Sequence, residues 1–350
     1  MMHPRWSADA SRKIKEKIVL ECDLGLETPA HFGNGEASEM TDLPVAADFL
    51  DGKTPVLTGA SIAGALRSYL VSREKGYLKA DETISLGSSV KTYAIILFGG
   101  NKGDDTGKQS PLIIEDAFGQ GDGFAIETRE GVKIESKSRT AANDMLYSRQ
   151  LWQAGTAFKL RFELLLSDND VENEKRKIAL ATALAGFSDG SITLGARKRR
   201  GYGQVRAKNW RVKSYDLKTK AGLLDWLKNG ATGTTFSDPA TALGVTLLSK
   251  DERQYFNIDA AFTLDSSMLI RGSGAEDVGP DMEHLHSQRK DKRVPIISGT
   301  SLAGALRARA LKIANTIGKE MGIIRKERVT WWMASSARTT RRMGIHRQVV

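Results

Sequence analysis

Alternating charged and apolar residues predict two strands in the first half of the chain. Residues 13–25 (KIKEKIVLECDLG) alternate in this way, and so does the segment Ala157–Leu166. A short apolar run predicts a further strand at residues 112–117, and the stretch rich in glycine and basic residues before Gln204 leads into another predicted strand at residues 204–212. A period of two is expected of a strand that has one buried face.

Two other segments carry the spacing of a helix. In residues 61–74, Ile62, Leu66 and Leu70 recur every four positions and are expected to face a core. Residues 171–187 begin with charged side chains and continue as IALATALAGF, which also predicts a helix. Strands and helices together predict an α+β fold.

A nine-residue stretch occurs twice, as GASIAGALR at residues 59–67 and as GTSLAGALR at residues 299–307. Each copy predicts a loop with a serine N-cap, Ser61 or Ser301, that opens a helix. Backbone N–H groups at a helix start favour an anion such as phosphate. We therefore expect these serines, with Arg67 and Arg307 at the ends of the two copies, to contact phosphate. The alternative is a tightly packed turn from strand to helix.

Composition narrows the classes of partner. The chain has 350 residues, enough for two domains, and 52 Lys+Arg against 42 Asp+Glu give a net charge of +10. This balance favours phosphate-rich partners. The single cysteine, Cys22, excludes a disulfide framework and a cysteine-based zinc site within one chain. The N-terminal segment lacks the apolar core of a signal peptide, and no apolar stretch reaches the ~20 residues of a membrane span, so we expect a cytoplasmic protein.

A second informative stretch, residues 195–203 (GARKRRGYG), is called the Gly/Arg loop below. Its glycines permit positive φ and close approach of the backbone, and its basic and aromatic side chains suit a phosphate backbone and a base face. The alternative is a solvated charged surface. We expect nucleic-acid contact from seven members of the loop: Arg197, Lys198, Arg199, Arg200, Gly201, Tyr202 and Gly203.

The repeat divides the chain into three predicted parts. Residues 13–212 form a first unit, residues 213–252 a Gly/Thr-rich connector with one short helix, and residues 253–350 a partial second unit. The second unit lacks a counterpart of the Gly/Arg loop, and our hypothesis is that a truncation or frameshift replaced its end. We predict no metal site at the histidines of the second unit, since no third ligand accompanies His284 and His286.

The order of these features resembles that of the RAMP superfamily. The features are a Gly-Ser helix opening that ends in Leu-Arg, LFG followed by an IIEDA strand, GVKI before TA and LY, and a terminal G-x-R-x-x-x-G-x-G. In particular, the chain resembles backbone subunits of type III CRISPR effector complexes, in a double form like that of subtype III-D. The resemblance covers residues 15–212 and, for the second copy, residues 255–315.

The resemblance implies tandem ferredoxin-like (RRM-like) units, the second incomplete. It implies that guide RNA binds along the sheet and the Gly/Arg loop, and that a thumb-like hairpin near residues 137–147 enters the guide–target duplex. Lys137 and Arg139 are therefore expected to contact RNA. The implied partners are CRISPR guide RNA, target RNA, and the other RAMP and large subunits of the complex, with no membrane.

The resemblance also implies a nuclease residue. Asp42, in TDLPV, occupies the position at which catalytic members carry an Asp that cuts target RNA with a divalent metal, Mg²⁺ or Mn²⁺. Asp281 or Glu283 takes that place in the second copy. A lone Asp is compatible with the chemistry, because RNA supplies its own 2′-hydroxyl nucleophile.

Several alternatives remain open at this stage. Asp42 is a catalytic residue or a loop-capping acid, and His31 has a structural role, contacts the guide or acts as a general base. The protein is then a target-cleaving subunit, a non-catalytic RNA-binding subunit, or a guide-processing endonuclease of the same superfamily.

Overall fold

The computed structural model describes residues 14–35, 43–77, 92–100, 109–135, 138, 140–228, 233–272, 283–289, 292–320 and 343–346. Helices and strands both contribute largely to the structure, so the α+β part of the predicted fold class is confirmed. Four predicted site residues lie outside the described residues: Asp42, Lys137, Arg139 and Asp281. Most of residues 319–350, to which the truncation hypothesis refers, also lie outside them.

The strands are β1 Glu16–Leu26, β2 Val56–Leu57, β3 Leu112–Ile114, β4 Ala117–Gln120, β5 Ile126–Ile134, β6 Ala141–Trp152, β7 Ala157–Leu166, β8 Val205–Asp216, β9 Thr234–Phe236, β10 Phe256–Asp259, β11 Arg271–Gly272, β12 Glu283–His284, β13 His286–Arg289, β14 Lys292–Pro295 and β15 Met343–His346. The helices are α1 Gly59–Lys75, α2 Tyr93–Phe98, α3 Asp170–Ser188, α4 Lys220–Lys228, α5 Pro239–Leu243 and α6 Gly299–Glu320.

The predicted strands and helices of the first unit are present. The strand predicted from the alternation at 157–166 is β7, with the same bounds, and the two predicted helices are α1 and α3. The strand predicted at 112–117 is instead split into β3 and β4. The split has a local cause: Asp116 turns its carboxylate to the start of α1 and accepts a hydrogen bond from Gly59 N at 2.6 Å.

One seven-stranded sheet organises the first unit, in the order β2-β4-β7-β1-β8-β9, with β3 also paired to β7. All pairings in this sheet are antiparallel. Helix α1 follows β1, and α3 connects β7 to β8. Apart from β2, α2 and the β5–β6 hairpin, the chain runs in the order β1, α1, β3, β4, β7, α3, β8. Strand β1 lies between β7 and β8 in the sheet.

The two faces of the sheet differ in chemistry. On one face, Leu20, Cys22 and Leu24 of β1 lie in the core with Leu66 of α1 and Leu184 of α3. Alternation in β1 delivers these side chains to one side, as the sequence predicted. The apolar face is thus sealed by helices, and any partner of the sheet itself must meet the other face.

That other face carries paired charges. Glu163 lies 2.6 Å from Lys17 Nζ and 3.0 Å from Arg161 Nη2, and Arg211 Nη2 lies 2.9 Å from Asp23. Helix α4 also approaches this face, with the Trp226 ring 4.4 Å from Lys17 Nζ. The cations here already have carboxylate partners, which lowers their attraction for phosphate.

The segment predicted as a connector packs against the first unit. It contains two helices and a strand rather than one short helix: β9 pairs with β8, and Leu243 of α5 is buried in the core. Asp238 caps α5 by accepting from Thr241 N, and Pro239 starts the helix. Arg73 of α1 also donates to Leu248 O at 2.9 Å. Cap chemistry and these long-range contacts give the segment an order that its Gly/Thr composition did not predict.

The second copy is less enclosed. Strand β10 pairs with β15 in parallel, and β11–β12 and β13–β14 form separate two-stranded sheets. Leu306, Ile313 and Ile317 of α6 are about half exposed. None of the described helices is long and apolar enough to cross a membrane.

Candidate nucleic-acid interface

The Gly/Arg loop connects α3 to β8 and is held by backbone hydrogen bonds. Ala196 N donates to His31 O at 3.0 Å, and Gly203 N donates to Pro29 O at 2.9 Å. Leu194 N donates to Gly203 O at 2.8 Å, which closes the loop at its base. These bonds fix the loop against the segment that follows β1, so its side chains are presented from a defined backbone.

Two glycines of the loop are required by this geometry. Gly195 has φ +81 and Gly203 has φ +70, in the region that favours glycine. A Cβ at Gly195 would overlap His31 O, and a Cβ at Gly203 would overlap Leu194 O. The sequence argument that these glycines allow positive φ and close approach is confirmed.

The basic residues of the loop form its outer surface. Lys198–Arg200 make one turn of 3-10 helix, and Arg197 before it has φ +58, which is uncommon outside glycine. Arg197, Lys198 and Arg199 are exposed, whereas Arg200 is partly buried. Within the described part of the chain, Arg197, Arg199 and Arg200 make no ion pair with an acid, unlike the cations on the sheet face.

A tyrosine from the β5–β6 hairpin meets the loop. Arg200 Nη1 donates to the Tyr147 hydroxyl at 3.4 Å, and the guanidinium carbons of Arg149 and Arg197 lie 5.1 Å and 5.7 Å from the Tyr147 ring centroid. Burial raises the pKa of the Tyr147 hydroxyl, but hydrogen bonds from Arg200 and Arg149 and the charge of Arg197 outweigh it, and the pKa is lowered. We call these four residues the Tyr147 cluster.

Sequence reasoning missed Arg149. The hairpin itself fits the expectation of a hairpin near residues 137–147, since β5 and β6 pair antiparallel around it. The only signal for Arg149 was its spacing of two from Tyr147, which places both side chains on one face of a strand. The Gly/Arg loop lies against that face, a tertiary contact that the local sequence does not indicate.

The start of α1 differs from the prediction in its cap. Thr58, not Ser61, is the N-cap: its hydroxyl accepts from Ser61 N, and the helix begins at Gly59. In the second copy, Ser298 accepts from Ser301 N at 3.1 Å. The predicted serine cap is therefore wrong in both copies, because the helix begins two residues before the predicted serine. Ser61 and Ser301 lie exposed in the first turns.

An internal carboxylate occupies the start of α1. Gly59 N donates to Asp116 Oδ1 at 2.6 Å, and a Cβ at Gly59 would overlap Ile114 O. A carboxylate at this N–H takes the place that phosphate was expected to fill. This favours the packing alternative for the first copy. Arg67, further along α1, is partly buried.

The second copy, rather than the first, lies against the Gly/Arg loop. A Cβ at Gly299, where α6 begins, would lie 2.5 Å from Arg200 O. The first helix begins beside β3, and β7 and β1 separate that strand from β8, to which the loop leads. Sequence analysis did not predict this contact between the copies. Arg307 is exposed on α6.

The segment after Asp42 lies beside the Tyr147 cluster. Leu43 forms a bridge with Arg149, and Gln150 N donates to Leu43 O at 3.1 Å. His31 is only 6% exposed, and its Nδ1 lies 2.8 Å from Gln150 O, which favours the structural alternative for this histidine. Asp51, in the same long loop, caps a turn: hydrogen bonds from Thr54 and Lys53 lower its pKa to about 2.

The two acids that the resemblance associates with a divalent metal, Asp42 and Asp281, lie outside the described residues. The described residues contain no group of three or more His, Cys, Asp or Glu side chains suited to a metal ion. In the second copy, the His284 ring nitrogens face Ile270 N at 3.3 Å and Ile296 O at 3.2 Å.

Comparison with known proteins identifies the family. No curated protein matches the chain. The family model described as the RAMP superfamily matches residues 23–206, a range that contains β7, the helices α1 and α3, the β5–β6 hairpin and the Gly/Arg loop. This range is more than half of the chain, and the chain therefore belongs to the RAMP superfamily, a family associated with type III CRISPR complexes and with RNA binding.

Proposed function

We propose that the protein is a guide-RNA-binding backbone subunit of a type III CRISPR effector complex, in the double form that resembles subtype III-D. The observation that carries this proposal is the Gly/Arg loop. It presents Arg197, Lys198 and Arg199 from a backbone that two required glycines hold in place. Exposed cations on a fixed loop are suited to the evenly spaced phosphates of a single strand.

The proposed fold is a ferredoxin-like unit over Glu16–Asp216, followed by an incomplete second one. Its support is the strand order, with β1 between β7 and β8 and with β3 and β4 beyond β7, and with α1 and α3 packed on one face. The second unit has the corresponding helix α6 but only small two-stranded sheets among its described residues.

The loop is a better RNA surface than the sheet. The sheet-face cations lie within ion pairs, so an approaching phosphate would compete with carboxylates already in place. The loop arginines Arg197 and Arg199 have no such competitor among the described residues. We therefore propose that guide RNA follows the loop and the adjacent hairpin rather than crossing the sheet.

Charge removal tests RNA binding. We expect the triple variant Arg197→Gln, Lys198→Gln, Arg199→Gln to bind single-stranded RNA more weakly and to lower the salt slope of affinity by roughly two units. The matched control removes Lys218, Lys220 and Lys228, which are also exposed but follow β8, whereas the Gly/Arg loop precedes that strand. Fluorescence anisotropy over a salt series measures both. Equal losses of affinity in the two triple variants would mean that RNA binding depends on net charge alone. That result would contradict the assignment to the loop.

We propose further that Asp42 cleaves target RNA, with Mg²⁺ or Mn²⁺ as the metal and with target RNA and other subunits as partners. The support is the resemblance, together with the position of Leu43 beside Arg149 at the edge of the proposed RNA surface. Asp281 holds the same place in the second copy by resemblance alone. Asp42→Asn in the assembled complex should remove one cut in a complementary RNA while guide binding is retained.

The remaining alternatives are outcomes of the same assays. An unchanged cut pattern in Asp42→Asn would contradict the nuclease role and leave a non-catalytic RNA-binding subunit. Cleavage of precursor guide RNA by the isolated protein would identify a guide-processing endonuclease instead.

A further inference from the structure

We propose that the Tyr147 cluster is a binding site for one phosphate group of the RNA backbone, with Arg149 as its buried cationic floor and with Arg197 and Arg200 at its rim. The inference rests on the proposed RNA-binding function and names a contact that the sequence analysis did not assign.

The first observation is a buried arginine that has no counterion among the described residues. Arg149 is 3% exposed, and its Nε and Nη2 atoms have no hydrogen-bond acceptor among the described residues. Its described contacts are with the Tyr147 ring and hydroxyl. Because an arginine side chain stays charged in a protein, a buried guanidinium without an anion is costly, and the site favours an anionic ligand.

The second observation comes from the residue directly opposite. Arg129 pairs with Arg149 across the β5–β6 hairpin and is also buried, at 7% exposure. Arg129, however, forms an ion pair with Glu127, a carboxylate that also accepts from Ser287 Oγ and Gln288 N of the second copy. Two like charges in register normally destabilise a sheet. Arg129 has an internal anion, whereas the described residues supply none to Arg149.

The third observation is that several arginine side chains meet at one tyrosine. Three guanidinium groups, from two separate segments, surround one tyrosine: Arg149 from the hairpin, and Arg197 and Arg200 from the Gly/Arg loop. Arg197 reaches this tyrosine from a backbone with φ +58, which is uncommon outside glycine. Arginines are suited to phosphate because their planar donors match its oxygens. The exposed side of Arg197 leaves the cluster open to a ligand from solvent.

Stability and affinity should therefore respond in opposite directions to Arg149→Met. Removing a buried charge that has no counterion in the described part of the chain should leave the free protein equally stable or raise its Tm. The same variant should weaken binding of a single-stranded RNA about tenfold at low salt and reduce the salt slope by about one unit. Thermal unfolding without RNA and fluorescence anisotropy with RNA are the two measurements.

Arg129→Met is the matched control, since it lies on the same face and has similar burial but has its own carboxylate. We expect it to lower the Tm, because Glu127 loses its cation, and to leave the salt slope unchanged. Tyr147→Phe is a milder second variant. It keeps the ring but removes the hydroxyl that Arg149 and Arg200 contact, and it should weaken RNA binding a few-fold.

The outcomes separate this inference from the proposed function. If wild type binds RNA and Arg149→Met binds it with the same affinity and salt slope, the phosphate site is wrong whatever the variant's stability. If wild type does not bind RNA, the proposed function fails, and inorganic phosphate becomes the probe. A phosphate-dependent rise in Tm that disappears in Arg149→Met would then support the anion site, and an equal rise in both proteins would overturn it.

Discussion

Helices α1 and α6 begin with nearly the same nine residues but have different surroundings. Leu66 of α1 is fully buried, whereas Leu306, at the same position of the repeat, is 52% exposed. Helix α1 packs on the sheet beside α3, and the described residues give α6 no comparable cover. Beyond the repeat the sequences also diverge, with Tyr69 and Leu70 replaced by Arg309 and Ala310. The repeat specifies a helix start, and its burial depends on partners distant in sequence.

The first glycine of the repeat has the same physical role in both copies. Gly59 brings α1 against Ile114 O, and Gly299 brings α6 against Arg200 O. In the first copy the neighbour is a strand of the same unit, and in the second it is the Gly/Arg loop. One sequence element therefore produces an internal packing contact in one copy and a contact between copies in the other.

The largest expected effect is a loss of stability when Leu66 is shortened, with little change when Leu306 is shortened. Leu66→Ala should lower the free energy of unfolding by about 2–5 kcal/mol, because it leaves a cavity in a closed core. Leu306→Ala should change it by no more than about 0.5 kcal/mol, since the side chain is half exposed. Urea denaturation followed by circular dichroism measures both. Similar losses in the two variants would mean that α6 is buried in solution.

The second largest expected effect is the loss of stability when an ion pair on the charged face of the sheet is removed. Burial raises the pKa of Glu163, but hydrogen bonds from Lys17 and Arg161 outweigh it and hold the pKa below its usual range. A lowered folded-state pKa means that this stability is present above the unfolded pKa of about 4.3 and is lost as the pH falls through the folded value. Glu163→Gln should cost about 1.5–3 kcal/mol at neutral pH.

That difference between wild type and Glu163→Gln should shrink as the pH is lowered below about 4. Thermal unfolding over a pH series checks this sign. A difference that is constant with pH would show that the cost comes from packing rather than from the charge.

The glycines that begin the two helices test the two contacts. Gly59→Ala should destabilise the protein by about 1–3 kcal/mol, because its Cβ would overlap Ile114 O. Gly299→Ala should leave global unfolding within about 0.5 kcal/mol but separate α6 from the Gly/Arg loop. Faster hydrogen exchange at residues 195–203 in Gly299→Ala, without a change in Tm, is the expected signature.

The smallest effect comes from the second glycine of the repeat, which is the matched control. A Cβ at Gly64 or at Gly304 would meet nothing within 4 Å. Gly64→Ala should therefore stabilise the protein by about 0.5–1 kcal/mol through the lower entropy of the unfolded chain. Gly304→Ala should slow amide hydrogen exchange within α6 only. Destabilisation by Gly64→Ala would indicate a close neighbour at that position.

Local patterns predicted much of the first unit. The alternation of Ala157–Leu166, the helical spacing of α3 and the glycines of the Gly/Arg loop are properties of short segments, and each prediction is confirmed. The N-cap was missed because Thr58 and Ser61 are both good capping residues, and only the end of the preceding strand decides between them.

The missed parts of the site depend on tertiary contacts. Nothing in the local sequence distinguishes Arg149 from an ordinary surface arginine. Its burial opposite Arg129, with no counterion among the described residues, follows from the hairpin register and from the position of the loop. The approach of Gly299 to Arg200 joins residues about a hundred positions apart. No periodicity within either segment indicates such a contact.

Hydrogen exchange on the full chain, with and without single-stranded RNA, tests the central claim. Among the described helices, α1 lies in an enclosed unit and α6 does not, and the first unit carries the RNA surface. Amides of residues 59–75 should exchange slowly and those of residues 299–320 much faster, and RNA should slow exchange at residues 195–203. Equal protection of the two helices, or no effect of bound RNA on the loop, would contradict the account.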